Sequence, residues 1–120
     1  MVADDDALVR ELLDAGLRRQ GFAVRVFHDG EQLLQAVETE RPAVVVVDWL
    51  MPGPQGPDVC TALRQRAETA DVPVLMLTSR GMDRHVEQAL AAGADDYITK
   101  PFHVDEVGRV VRHLVTRDPR

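Results

Sequence analysis

The chain has 120 residues, 45% of them hydrophobic and 28% charged, which is enough for one domain with its own core. The formal net charge is −6 with no basic stripe, which argues against direct nucleic-acid binding by this domain. A lone cysteine, Cys60, excludes an internal disulfide, and no apolar run approaches the roughly 20 residues of a membrane span.

Met1-Val2-Ala3 forms a first strand and runs straight into Asp4-Asp5-Asp6 rather than into an apolar leader, so the expected compartment is the cytoplasm. Leu8, Leu12, Leu13, Gly16 and Leu17 recur at helical spacing and stop near Gly21, with Asp6 available to cap the first turn. Phe22–Phe27 reads as a strand, Asp29-Gly30 turns the chain, and Leu33, Leu34 and Val37 mark a second helix. Ala43-Val44-Val45-Val46-Val47 then runs without a polar break into Asp48, the pattern of a strand buried on both faces. Pro52, Gly53, Pro54 and Gly56 force a loop after it, and Pro57 suits the first turn of a third helix that buries Val59, Cys60 and Leu63. Pro73–Thr78 is another strand. Val86, Ala89 and Leu90 mark a fourth helix stopped by Gly93. Tyr97–Lys100 is a short strand ended by Pro101, and Val104, Val107, Val111, Leu114 and Val115 mark the last helix. The expected organisation is one domain over residues 1–116, followed at 117–120 by a polar tail or the start of a linker.

Strands and helices alternate throughout with short connections, which specifies βαβ units and a parallel sheet covered on both faces. In such a sheet the carboxyl ends of the strands share one edge. Asp4, Asp5 and Asp6, then Asp48, then Thr78 and Ser79, then Lys100 all follow strands, so carboxylates, a hydroxyl and an ammonium converge there. Carboxylate oxygens suit a hard cation such as Mg²⁺. A bound divalent cation and Lys100 would attract a phosphoryl group, Thr78 could donate to one of its oxygens, and a carboxylate can act as the nucleophile that becomes an aspartyl phosphate. His28, His85, His103 and His113 show no ligand spacing.

With these residues in view, the chain resembles the receiver (response-regulator) domain of two-component signalling. Asp4-Asp5, Asp48-Trp49-Leu50-Met51-Pro52, Gly56, Pro73-Val74-Leu75-Met76-Leu77-Thr78, Gly93-Ala94-Asp95-Asp96-Tyr97 and Lys100-Pro101-Phe102 carry the resemblance over nearly the whole length. It implies an α/β fold, a doubly wound five-stranded parallel sheet in the order 2-1-3-4-5 with helices on both faces, the flavodoxin-like receiver fold. It further implies that Asp48 is the phosphoacceptor, that Asp5, Asp48 and the Leu50 backbone carbonyl ligate Mg²⁺ with Asp4 acting through water, and that Thr78 and Lys100 hold the phosphoryl oxygens. Thr78 and Tyr97 would be the switch residues, and Lys100-Pro101 a cis peptide. A histidine kinase or phosphotransfer protein would be the donor. An output domain or a second copy would meet the face made by the fourth helix, fifth strand and fifth helix. The domain would be no enzyme beyond its own phosphorylation and dephosphorylation.

The chain departs from the family at a first strand with only three residues before Asp4, at Gln55 where an Asp is common, and at Pro57 where a larger apolar residue is common. Leu50 and Arg80 flank the expected path of the hydrolytic water, and neither favours its approach, so a persistent phosphoryl state is expected. Two other classes compete. A haloacid-dehalogenase-type phosphatase needs a general acid two residues after its nucleophile, and Leu50 cannot transfer a proton. A degenerate receiver serving only as an interaction module would not need the full set of acidic and phosphoryl-binding residues.

Overall fold

The computed structural model describes residues 1–79 and 83–116. Its elements are β1 (Val2–Ala3), α1 (Ala7–Arg19), β2 (Val26–Phe27), α2 (Gly30–Ala36), β3 (Val45–Asp48), α3 (Gly56–Arg64), β4 (Val74–Thr78), α4 (Asp83–Ala91), β5 (Asp96–Thr99) and α5 (Val104–Thr116). The five strands form one sheet in the order β2-β1-β3-β4-β5, every pair parallel. This is the expected doubly wound arrangement, and its direction reverses between β1 and β3, the switch point at whose carboxyl edge such sheets bind their ligands.

The side chains of the central strands alternate between the two faces. Val45, Val47, Val74 and Met76 join Leu33, Val59, Cys60, Leu63 and Ala89, so α2, α3 and α4 cover one face. Val46, Leu75, Leu77 and Ile98 join Leu13, Leu17, Val107, Val111 and Leu114, so α1 and α5 cover the other. Burial on both faces explains the unbroken Val run: every residue of β3 and β4 is buried. Removing most of one such side chain, as in Leu75→Ala, costs about 2–5 kcal/mol.

Three expectations need correction. The strand expected over Phe22–Phe27 is confined to Val26–Phe27, the two residues whose ladder pairs them with Val2 and Ala3 of β1. Leu8 and Leu12 do not face the core; Leu8 is 76% exposed, and the buried stripe of α1 is Leu13, Gly16 and Leu17. Leu90 and Val115 are likewise exposed. The expected caps hold: Asp6 Oδ1 accepts from the Leu8 N–H at 2.9 Å, and α4 ends at Gly93, whose φ of 106° suits a residue without a Cβ. The expected helix residue Val86 has no described side chain, and the tail at 117–120 lies outside the described residues. Among the described residues no helix is long and apolar enough to cross a membrane.

Candidate phosphoacceptor and metal site

Asp48 and Thr78 are the last residues of β3 and β4, while Asp4 and Lys100 stand one residue past β1 and β5. The Asp4 N–H donates to the Phe27 carbonyl at 3.2 Å, the Trp49 N–H to Leu77 at 2.8 Å, and the Lys100 N–H to Thr78 at 2.7 Å. The carboxyl end of β1 is thereby tied to β2, and those of β3 and β5 to β4. Asp48 stands opposite Leu77 in the register, so Thr78 lies one residue further along the adjacent strand. Lys100 precedes Pro101 through a cis peptide, as expected.

Asp4 is fully buried, Asp48 is buried and Asp5 is exposed. One carboxylate oxygen from each of the three lies within 4.8 Å of the others. The Lys100 ammonium joins two of them: Nζ donates to Asp4 Oδ2 at 3.1 Å and pairs with Asp48 Oδ1 at 3.2 Å. Asp4 Oδ1 accepts from the Asp6 N–H at 2.9 Å, and the Asp4 carbonyl accepts from Arg10 Nη1 at 2.8 Å.

Among the described residues the charge on this edge is unbalanced, with the carboxylates of Asp4, Asp5 and Asp48 around the Lys100 ammonium. Burial, and then the neighbouring Asp4 charge, push Asp48 up to about 6 against the pull of Lys100. Burial alone would lower Lys100, but its bonds and attraction to Asp4 and Asp48 outweigh that and hold it above its ordinary value. A desolvated carboxylate of raised basicity is a better nucleophile than one in water. The donor set is all oxygen, compact and anionic, which fits Mg²⁺: the carboxylates of Asp4, Asp5 and Asp48 would hold it, directly or through water.

The sequence-derived residues therefore divide clearly. Asp4, Asp5, Asp48 and Lys100 are brought together, and Thr78 is buried at the adjacent strand end. Leu50 is 54% exposed in the loop after β3, beside the acidic edge. Tyr97 is 37% exposed on the edge strand β5, opposite Met76 rather than at the Thr78 level. Trp49 is buried in the core beneath the loop. His28, His103 and His113 are exposed, while Arg80 and the His85 side chain lie outside the described residues. Gln55 and Pro57 are accommodated: the Gln55 N–H donates to Asp58 Oδ2 at 3.0 Å in a capping box, and Pro57 sits in the first turn of α3.

Sequence reasoning missed two arginines. Arg10, on the first turns of α1, holds the Asp4 carbonyl, and its sequence signal is a cation shortly after an acidic triplet. Arg64 donates to the carbonyls of Gly93 and Val72 and pairs with Asp95 at 2.8 Å, while Asp95 also accepts from the Val74 N–H. Those partners are distant along the chain, and local spacing carries no trace of them.

The family model described as response regulator receiver domain matches residues 1–112. The chain is 42% identical over 118 residues to the DNA-binding response regulator MtrA of Mycobacterium leprae (strain TN), covering 98% of this chain and 51% of that protein. It thus spans about half the length of the curated relatives it matches. Among solved structures it resembles the receiver domain of the Francisella response regulator 1452, with a TM-score of 0.90 and 32% identity over 97% of this chain and 94% of that one. It also resembles the receiver domain of the sensor histidine kinase PA1611 of Pseudomonas aeruginosa PAO1, with a TM-score of 0.87 and 26% identity over 95% and 93% of the two chains. That structure has a magnesium ion coordinated in its active-site cleft.

Proposed function

The chain belongs to the response regulator receiver-domain family of two-component systems, and we propose that within it the domain is a phosphorylation-activated switch whose acceptor is Asp48. The observation that carries this reading is the buried Asp48 carboxylate, paired with Lys100 and sharing an edge with Asp4 and Asp5.

The donor is the phosphohistidine of a histidine kinase or phosphotransfer protein. An Asp48 oxygen attacks the phosphorus, the P–O bond forms, and the P–N bond breaks with its electron pair left on the imidazole nitrogen. Lys100 has three N–H donors, so it can turn one toward a phosphoryl oxygen while keeping Asp4. The Thr78 hydroxyl donates to another. Asp5, Asp48 and the Leu50 carbonyl, with Asp4 acting through water, would hold Mg²⁺, whose positive charge would offset the negative charge that gathers in the transition state. The domain turns over no separate substrate; it catalyses only its own phosphorylation and dephosphorylation.

The new charge on Asp48 draws the Thr78 hydroxyl inward, and the exposed Tyr97 ring turns into the space vacated. That changes the face made by α4, β5 and α5, where an output domain or second copy binds. The reading places the domain, spanning residues 1–116, in the cytoplasm, with no direct contact to nucleic acid or membrane. An aspartate-nucleophile phosphatase is disfavoured by Leu50, an exposed apolar side chain where the general acid would stand. Incubation with acetyl phosphate and Mg²⁺, followed by intact mass, tests the proposal. The mass should rise by one phosphoryl group and stay so after the donor is removed. No covalent adduct, or steady release of inorganic phosphate without one, would contradict it.

A further inference from the structure

Of Asp4, Asp5 and Asp48, only Asp5 is exposed, and its aim is set by the backbone that carries it. The Asp4 carbonyl and the Asp5 N–H belong to a single rigid peptide plane. Arg10 Nη1 donates to that carbonyl at 2.8 Å. Arg10 is itself fixed by the helix: its N–H donates to the Asp6 carbonyl at 3.0 Å, and Asp6 caps the same helix through Leu8. The turn between β1 and α1 is thus gripped at three points. Lys100 and the Asp6 N–H hold the two carboxylate oxygens of Asp4, and Arg10 holds its main chain.

We infer that Arg10 is a positioning residue for the Mg²⁺ ligands, orienting Asp5 through the Asp4 carbonyl; this rests on the reading of Asp4, Asp5 and Asp48 as a Mg²⁺ site. Two effects of the guanidinium oppose each other. Its charge repels a divalent cation, so on Coulomb grounds its removal should tighten binding. Its hydrogen bond orders the ligand turn, so on geometric grounds its removal should weaken binding, as loss of an outer partner of a metal ligand does. The sign of the change separates the two.

The test titrates Mg²⁺ into wild type, Arg10→Met and Arg10→Gln by calorimetry, at a temperature where circular dichroism shows each folded. Met keeps the aliphatic stem and removes the donor and the charge. Gln keeps a polar end that falls short of the carbonyl. Either folded variant should bind Mg²⁺ about tenfold more weakly than wild type. The Asp5 and Asp6 amide resonances should also move in the metal-free variant, a signature that a general loss of stability does not produce. Unchanged or tighter binding in a folded variant overturns the role of Arg10 while leaving the site reading intact. Absence of saturable Mg²⁺ binding by wild type overturns the site reading, and the role of Arg10 with it.

Discussion

Asp48 is buried beside Asp4, and the two together raise it to about 6 from the 3.8 of an unstructured chain. The native state therefore holds this proton more tightly than the unfolded state does. The residue costs no stability below pH 3.8, and its penalty grows as the pH rises to about 6, reaching about 3 kcal/mol in metal-free protein. Urea titrations across that window should show Asp48→Asn gaining stability relative to wild type as the pH rises; a constant difference would mean that Asp48 titrates normally. Cys60 is a simpler case. Burial pushes its thiol up to about 11, so the thiolate that reacts is absent at neutral pH. Native protein should resist alkylation at pH 7.5 and react fully in denaturant; rapid native labelling would place the thiol at the surface. Leu50 stands exposed beside the acceptor and offers a water no hydrogen bond. Leu50→Asn should shorten the lifetime of the phosphorylated state, a tenfold change being about 1.4 kcal/mol in barrier. Decay of isolated phosphoprotein in Mg²⁺ measures it, and equal or slower decay would show that Leu50 does not limit water access.

The helices and loops hold the site by close approach. Gly56 opens α3 directly under the acceptor, and a Cβ there would lie 2.5 Å from Met76 Sδ and 2.6 Å from the Asp48 carbonyl oxygen. Gly56→Ala must move the main chain of the acceptor itself, so it should lower both the thermal midpoint and the rate of phosphorylation; wild-type behaviour in both would show that the loop relaxes elsewhere. At the other end of α3, Arg64 and Asp95 tie the turn before β5 to the starts of β4 and β5, both side chains being largely buried. Asp95→Ala leaves that guanidinium its carbonyl partners but no counter-charge, and leaves the Val74 N–H without this acceptor, so it should cost about 3 kcal/mol, read by denaturant unfolding. These two elements show what a sequence discloses. Gly56 and Asp95 stand out as motif residues, and the order of elements, the buried β3 and the converging carboxylates all follow from periodicity and turn chemistry. Which α1 leucines face the core does not, because Leu8, Leu12, Leu13 and Leu17 fit more than one helical stripe, and packing against α5 chooses. Nor does the length of β2, whose ladder with β1 takes in only Val26 and Phe27.

At the scale of the whole molecule, the sheet gathers carboxylates that repel one another and that, among the described residues, Lys100 only partly balances. Mg²⁺ should therefore raise the melting temperature through preferential binding to the native state. Asp5→Asn should abolish most of that gain, and an undiminished shift would remove Asp5 from the site. The proposed switch would couple the same edge through Thr78 and β5 to the α4–β5–α5 face, so a phosphorylated Thr78→Ala protein should lose most of the chemical-shift response on that face; a full response would break the proposed coupling. All of this depends on the phosphoryl group residing on one residue. The most direct measurement treats the acetyl-phosphate-reacted protein with borohydride, which reduces an acyl phosphate to the corresponding alcohol, and locates the modified residue by peptide mass spectrometry. The account predicts homoserine at position 48 in wild type and no modification in Asp48→Asn. Modification at another carboxylate in wild type, or equal labelling of the variant, would contradict it.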